Sequence, residues 1–171
     1  AAGEAVWSLG SDTGGSIRQP ASFCGVVGLK PTYGRVSRSG LLAMASSLDQ
    51  IGPVAKNVED VAIVLSRISG EDLLDATSAQ SADKKYEDYL AGDIAGKIIG
   101  VPKEYVDSLE GDIKNVFNES LEKFKKLGAK IETISLPHAE YALPTYYIIM
   151  TSEVSSNLAR FDGIKYSLRV D

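Results

Sequence analysis

The segment most informative about the fold class spans residues 97–136 and reads KIIGVPKEYVDSLEGDIKNVFNESLEKFKKLGAKIETISL. Short apolar runs at its two ends, Lys97–Val101 and Lys130–Leu136, are each followed by a proline and are predicted to be strands. Between them, apolar residues recur at helical spacing up to Gly128, the predicted helix cap. Those residues are Ile113, Val116, Phe117, Leu121, Phe124 and Leu127. A strand, a helix and a strand in this order form a βαβ unit, so the sequence predicts an α/β fold with a mixed or mostly parallel sheet and flanking helices.

The segments on either side of this unit show different patterns. Residues 1–56 are rich in Gly, Ser and Pro and are predicted to form short strands and tight turns. A helix is predicted to begin after Asn57, an N-cap residue, and to stop at Gly70. Its apolar positions are Val58, Val61, Ala62, Leu65 and Ile68. Residues 71–96 are polar and predicted to be mostly loop, and residues 146–160 are predicted to form a last helix.

The composition excludes several classes of protein. With 44% hydrophobic and 24% charged residues among 171, the chain can bury a core and is not a disordered sequence. A net charge of −5 offers no basic face for a phosphate backbone. The single cysteine, Cys24, excludes an internal disulfide and a cysteine-based zinc cluster, and no apolar run approaches the roughly 18 residues of a membrane span. We therefore expect a cytoplasmic protein with no metal and no membrane contact.

The ends of the sequence are unusual. Ala1 is not a methionine, and Asp171 follows no recognisable closing element. We expect residues 1–171 to be the central part of a single domain that continues at both ends.

The candidate chemistry lies in residues 10–18, GSDTGGSIR, between a short apolar run and a predicted helical turn. Acyl transfer by a serine needs backbone N–H groups that point at the oxygen on which negative charge develops. Glycines allow this close approach because they have no side chain, so Thr13, Gly14, Gly15 and Ser16 are a candidate oxyanion hole with Ser16 as nucleophile. The same pattern is also typical of a glycine-rich turn with a capping serine.

The pattern shows no base for that serine. Arg18 stands where the G-x-S-x-G motif of the α/β-hydrolases needs its second glycine, which disfavours that class. His138 is the only histidine, and it follows Pro137 in a predicted surface loop, so we expect it not to be the general base. Asp12 and Arg18 flank the candidate serine with opposite charges, and we predict that they pair and support the loop.

Two further matches to catalytic motifs are interpreted as ordinary loops. Residues 92–97 resemble a phosphate-binding loop but have one residue too few between the glycines, and Ile98 stands where Ser or Thr is required. Residues 81–84 match S-x-x-K in a polar stretch, where a four-residue match arises easily by chance.

Two longer runs, SLGSDTGGSIRQPA at residues 8–21 and CGVVGLKPTYGRVS at residues 24–37, closely resemble the amidase-signature family. The resemblance implies a mechanism that uses a serine, a cis-serine and a lysine. Ser16 matches the acyl-forming serine, and Thr13 to Ser16 match the backbone of the oxyanion hole. The matching lysine and cis-serine are expected upstream of Ala1.

Within this family, SSLDQIGP at residues 46–53 and SEVSSNLARFDG at residues 152–163 resemble the members that release ammonia from glutamine for a tRNA amidotransferase. The resemblance implies glutamine as substrate, with Tyr146 rather than Tyr147 in contact with it. It also implies two partners, namely the B subunit, which binds tRNA and uses ATP and Mg²⁺, and the small C subunit. No cofactor is expected in this chain. The alternatives are a stand-alone amidase of small amides and a non-catalytic scaffold.

Overall fold

A computed structural model describes residues 1–80, 85–162, 165–166 and 168 of the chain. These residues form two compact units, the first comprising Ala1–Leu90 with Tyr146–Asp171 and the second comprising Ala91–Thr145. We call them unit 1 and unit 2. The predicted α/β class is confirmed, since helices accompany strands in both units. The S-x-x-K match at residues 81–84 and Gly163 lie outside the described residues.

Unit 1 contains a three-stranded sheet, which confirms the short strands predicted for residues 1–56. Its strands are β1 (Trp7–Asp12), β2 (Val27–Gly28) and β3 (Gln50–Ala55). They lie in the order β1-β3-β2, and both pairings are antiparallel. In the register of β1 with β3, Asp12 is opposite Gln50, and both side chains are fully buried. A short helix, α1 (Arg18–Phe23), follows the loop after β1 and confirms the predicted helical turn.

The core of unit 1 is built around Ile17, which is 1% exposed and directly follows the candidate nucleophile. Three glycines in the surrounding strands leave room for it. A Cβ atom would lie 3.1 Å from Ile17 Cγ1 at Gly10, 2.9 Å from the Ile17 carbonyl oxygen at Gly28, and 3.2 Å from Ile17 Cδ1 at Gly52. Ile17 therefore fixes the C-terminal side of the loop in the sheet, while its neighbour Ser16 stays exposed.

Helix α2 (Val58–Ile68) matches its prediction closely. The Asn57 side chain accepts a hydrogen bond of 2.7 Å from the backbone N–H of Asp60, as expected of an N-cap. The helix ends two residues before Gly70. Its buried residues are Val61, Ala62, Val64 and Leu65. A 3₁₀ turn at Tyr86–Tyr89 interrupts the segment predicted to be mostly loop.

Unit 2 is the predicted βαβ unit. Its elements are β4 (Ile98–Pro102), α3 (Lys103–Val106), α4 (Gly111–Lys126) and β5 (Lys130–Ile134). Strands β4 and β5 pair in parallel, which confirms the predicted crossover, although β5 ends two residues earlier than predicted and the sequence pattern does not predict α3. Gly128 has φ +87° and caps α4, as predicted. Residues 92–97 form the turn that enters β4, with the Lys97 N–H donating to the Ile94 carbonyl oxygen.

The last helix, α5 (Ala142–Leu158), begins four residues earlier than the predicted one. It carries Tyr146, the predicted substrate contact, and the side chains Glu153 and Asn157, which contact the segment before β3. None of the helices in the described residues combines the length and the apolar character needed to cross a lipid bilayer.

Candidate active site

The candidate site is the loop that connects β1 to α1, and hydrogen bonds to the Asp12 carboxylate hold this loop in place. Asp12 is the last residue of β1, and its side chain is fully buried. Its Oδ1 accepts a hydrogen bond of 2.7 Å from the Gly15 N–H, and its Oδ2 accepts from the N–H groups of Ile17 at 3.2 Å and Arg18 at 3.3 Å. One carboxylate thus gathers three backbone donors and turns the chain sharply after the strand.

The predicted pair of Asp12 and Arg18 is present. The Arg18 guanidinium donates from Nε to Oδ2 at 3.0 Å and from Nη2 to Oδ1 at 3.1 Å, a bidentate geometry. Burial alone would raise the pKa of the Asp12 carboxyl. The hydrogen bonds from Arg18 and from the backbone N–H groups outweigh this effect and lower the pKa from 3.8 to about 2. Asp12 is therefore a carboxylate at neutral pH, and it acts as an acceptor, not as a proton donor.

The two glycines of the loop are required for different reasons. Gly15 has φ +141°, a conformation that L-residues with side chains rarely adopt, and its carbonyl oxygen accepts from the Gln19 N–H at 2.7 Å. Gly14 is needed for space, since a Cβ atom there would lie 2.6 Å from Cζ of Tyr146. The structure thus brings Tyr146 of α5 directly against the predicted oxyanion loop. Tyr147 is 54% exposed and stands beside it.

The four predicted oxyanion donors are not equivalent. The Gly15 N–H is already committed to Asp12, as described above. Within the part of the chain that the structure describes, the N–H groups of Thr13, Gly14 and Ser16 have no acceptor. An incoming anion needs donors that are free, so the geometry favours these three over Gly15.

Ser16 is exposed, and its hydroxyl forms no hydrogen bond with any described residue. A serine hydroxyl requires a neighbouring base to become a nucleophile, and no described residue accepts a hydrogen bond from it. His138 lies in unit 2, where it is exposed and precedes the 3₁₀ turn Ala139–Tyr141. The prediction that a lysine, and not His138, takes the proton from Ser16 stays a prediction.

A second buried carboxylate, Asp49, supports the loop from the opposite side, and the sequence analysis missed it. It is 2% exposed and lies directly before β3. Its Oδ1 accepts a hydrogen bond of 2.6 Å from the Thr13 hydroxyl, and its oxygens also accept from the N–H groups of Met44 at 2.8 Å and Ala45 at 3.1 Å. The available sequence signal was an aspartate and a glutamine together at the start of a buried strand, where polar side chains need specific partners.

The segment that carries Asp49 is held in turn by α5. Asn157, which is 7% exposed, donates from Nδ2 to the Met44 carbonyl oxygen at 3.1 Å and to Ser46 Oγ at 3.2 Å. Glu153 accepts from both the N–H and the hydroxyl of Ser47. The two segments at residues 46–53 and 152–163, each noted separately in the sequence, are therefore in contact.

No group of three or more His, Cys, Asp or Glu side chains within the described ranges is placed to hold a metal ion. The polar groups of the site are instead directed at the backbone of the loop. Its features are an exposed serine, free N–H groups beside it and two buried carboxylates that hold the backbone. An exposed serine with free N–H donors beside it is one part of what an acyl-transfer site requires; the base is the other part.

The α/β fold and this loop indicate an enzyme of the acyl-transfer class, and comparison with known proteins agrees with that class. A family model described as Amidase matches residues 1–170. The chain belongs to the amidase family, which confirms the resemblance seen in residues 8–37.

Two proteins that are similar to this chain are both A subunits of glutamyl-tRNA(Gln) amidotransferase. The A subunit of glutamyl-tRNA(Gln) amidotransferase from Koribacter versatilis is 61% identical over 170 residues, which cover 99% of this chain and 35% of that protein. The A subunit from Listeria welshimeri is 58% identical with the same coverage. The chain thus spans about a third of the length of the relatives that it matches.

The chain is also similar to solved structures of an amidotransferase A subunit and of a peptide amidase. The crystal structure of the A subunit of glutamyl-tRNA(Gln) amidotransferase from Thermotoga maritima is 49% identical with a TM-score of 0.84, and the match covers 93% of this chain and 35% of that one. A peptide amidase from Stenotrophomonas maltophilia is 30% identical with a TM-score of 0.77, over 93% of this chain and 33% of that one.

Proposed function

We propose that this chain is part of the glutaminase subunit of a glutamyl-tRNA(Gln) amidotransferase and that Ser16 is its nucleophile. The observation that carries the proposal is the loop 12–18, in which an exposed Ser16 adjoins three free N–H groups. The 61% identity to an A subunit of this enzyme supports glutamine as the substrate. Because the chain spans 35% of those relatives, we place it within a longer polypeptide, called the complete protein below.

In the proposed reaction, Ser16 Oγ attacks the side-chain amide carbon of glutamine, and the carbonyl oxygen becomes an anion. The N–H groups of Thr13, Gly14 and Ser16 stabilise that anion. The amide nitrogen leaves as ammonia after it takes up a proton, and a glutamyl ester forms on Ser16. Water then hydrolyses the ester to glutamate and returns the proton to Ser16.

The proton taken from Ser16 requires a base that the described residues do not supply. By the resemblance to the amidase-signature family, this base is a lysine that acts through a second serine, and we place both in the complete protein upstream of Ala1. Tyr146 is proposed to contact the bound glutamine, since its ring lies on Gly14 at the edge of the oxyanion loop.

The partners are part of the same proposal. Ammonia would pass to the B subunit, which binds tRNA and uses ATP and Mg²⁺ to activate the glutamyl ester, while the small C subunit braces the two larger ones. The net charge of −5 is consistent with leaving tRNA contact to another subunit, because phosphate backbones are bound by basic surfaces. We place the complex in the cytoplasm.

A second candidate function is the hydrolysis of small amides without partners. The observation in its favour is the match to the peptide amidase, which has a TM-score of 0.77. The tRNA-dependent amidotransferases are favoured over it because the identity to one of their A subunits is 61%, about twice the 30% identity to the peptide amidase.

The decisive experiment replaces Ser16 in the complete protein. Ser16→Ala should abolish ammonia release from glutamine, while ammonium salts should still support amidation of glutamyl-tRNA by the assembled complex. Ser22→Ala is the matched control, since Ser22 is an exposed serine of the adjacent helix α1. Normal glutamine hydrolysis by Ser16→Ala would refute the assignment of the nucleophile. A complete protein that hydrolyses small amides but not glutamine would favour the second candidate function.

A further inference from the structure

The two buried carboxylates of the site lie at the same end of two neighbouring strands, since Asp12 is the last residue of β1 and Asp49 directly precedes β3. Asp12 ends β1 and is opposite Gln50, so the next residue of the loop, Thr13, emerges beside Asp49. The loop is therefore fixed at two points. Asp12 binds its C-terminal side through Gly15, Ile17 and Arg18, whereas Asp49 is bound to Thr13 alone within the loop.

Thr13 matters because its N–H is one of the three free donors. A β-branched side chain has few rotamers, and a hydrogen bond of 2.6 Å from its hydroxyl to a fixed acceptor removes the remaining freedom. The side chain and the N–H group of Thr13 are attached to the same Cα atom, so anchoring the hydroxyl also restrains the backbone at this residue. Asp49 is thus linked to the residue that carries this N–H through the Thr13 hydroxyl.

The position of the Asp49 carboxylate is itself firmly held. It is 2% exposed, and both of its oxygens accept from the N–H groups of Met44 and Ala45 in addition to the Thr13 hydroxyl. The segment it belongs to is anchored by Asn157 and Glu153 of α5. In contrast to Asp12, Asp49 forms no ion pair with any described residue, so its position is set by hydrogen bonds alone.

We propose that Asp49 is a positioning residue that orients the Thr13 N–H toward the oxyanion through the Thr13 hydroxyl. This inference rests on the proposed function only in taking Ser16 as the nucleophile, and it is independent of the identity of the substrate.

The test uses the complete protein and the rate at which a fluorophosphonate labels Ser16. The phosphoryl oxygen of this reagent occupies the oxyanion position, so the labelling rate reports on the loop without glutamine. Thr13→Val, which removes the hydroxyl but keeps the shape, should slow labelling about 10- to 100-fold. Loss of a whole oxyanion donor costs about 10²- to 10³-fold in kcat, and a misdirected donor should cost less. Thr13→Ser, which keeps the hydroxyl, should label within about threefold of the wild type.

Asp49→Asn should behave like Thr13→Val. Both carboxylate oxygens accept hydrogen bonds, so an amide at this position must direct its NH₂ group at a donor. The double variant should be no slower than the slower single variant, because the two changes break the same interaction. Asp72→Asn is the matched control, since Asp72 also accepts from a hydroxyl, of Ser37, and from a backbone N–H, of Leu74.

The outcomes separate the inference from the proposed function. Wild-type labelling rates in folded Thr13→Val would overturn the positioning role of Asp49, and so would equal slowing by Asp72→Asn and Asp49→Asn. A wild-type protein that labels at Ser16 but does not hydrolyse glutamine would refute the substrate alone, and the labelling series would still decide the role of Asp49. Failure of the wild type to label at Ser16 would overturn both.

Discussion

The ring of Tyr146 lies against Gly14, where a methyl group on the glycine would come within 2.6 Å of the Tyr146 Cζ atom. Residues 132 positions apart in the sequence thus form one edge of the candidate site. The hydroxyl of Tyr146 is close to the same point, at 2.8 Å from the position of that methyl group. A substrate whose carbonyl group is bound by the loop would therefore pass next to this ring.

Tyr146→Phe in the complete protein tests that contact. The change keeps the ring on Gly14 and removes only the hydroxyl. A lost hydrogen bond is worth about 0.5–1.5 kcal/mol, so we expect KM for glutamine to rise by up to about tenfold, with kcat within a few-fold. Steady-state kinetics give both values. Tyr147→Phe is the control, because Tyr147 is exposed and not among the nearest neighbours of Gly14. Equal effects of the two changes would argue against Tyr146 as the substrate contact.

The glycines around Ile17 predict a graded series of stabilities. A Cβ atom at Gly52 would lie 2.0 Å from the Leu29 carbonyl oxygen, which belongs to the backbone and cannot move aside. At Gly28 it would lie 2.7 Å from Ala21 Cβ, and at Gly10 3.1 Å from the Ile17 side chain. Alanine should therefore destabilise most at Gly52 and least at Gly10, over a range of about 1–3 kcal/mol or more. Urea denaturation of the three variants checks the order, and a reversed order would contradict this packing.

Much of the fold could be predicted because it depends on local pattern. The βαβ unit of unit 2 and the cap of α2 at Asn57 both follow from residues close together in the sequence. The pair of Asp12 and Arg18 is predictable for the same reason, since they are only six positions apart. The support of Thr13 by Asp49 could not be predicted, because it joins residues 36 apart through the antiparallel pairing of β1 with β3. No short-range pattern specifies such a contact.

The contact of α5 with the segment before β3 is an even longer-range case. Glu153 and Ser47 are 106 residues apart, and each looks like an ordinary surface residue in the sequence. Only the folded chain shows that they meet. The predicted oxyanion residues are a similar case, since the sequence pattern does not distinguish Gly15 from its neighbours, whereas the structure commits its N–H to Asp12.

Arg18 is predicted to support both stability and acylation. Arg18→Ala would leave the buried Asp12 carboxylate without its charged partner, which should cost about 1–3 kcal/mol because three backbone donors remain. Arg18→Lys should be intermediate, since an ammonium group cannot reproduce the two-point geometry. Denaturation midpoints and labelling of Ser16 measure the two effects. Wild-type values for both in Arg18→Ala would show that the pair has no function.

The lowered pKa of Asp12 predicts how stability depends on pH. Its pKa in the folded state, about 2, is below the value of 3.8 expected for an unfolded chain, so the unfolded state binds a proton more readily. The stabilisation is complete well above pH 3.8 and is lost as the pH falls toward about 2. The free-energy difference between wild type and Asp12→Asn should accordingly be constant above about pH 5 and shrink below it. Urea titrations at fixed ionic strength between about pH 2 and 7 test this. A free-energy difference that grows on acidification would mean that folding raises the pKa of Asp12 and does not lower it.

The last prediction is that the 171-residue chain, produced alone, does not release ammonia from glutamine even though it contains Ser16. A serine hydroxyl is almost fully protonated at neutral pH, and none of the described residues offers a base to the hydroxyl of Ser16. The oxyanion donors by themselves still favour the transition state. However, a hydroxyl that keeps its proton attacks the amide very slowly, so stabilisation of the oxyanion alone gives little turnover.

Ammonia release by the purified chain should therefore equal that of its own Ser16→Ala variant, while the complete protein should exceed both. The fluorophosphonate serves as an internal control, because a folded loop without a base should still bind the reagent but label slowly. Circular dichroism of both forms confirms that the comparison is made between folded chains. Turnover that depends on Ser16 in the isolated chain would mean that a base lies within residues 1–171. In that case His138 and the lysines of this chain would become the candidates, and the mechanism based on a serine, a second serine and a lysine outside it would have to be given up.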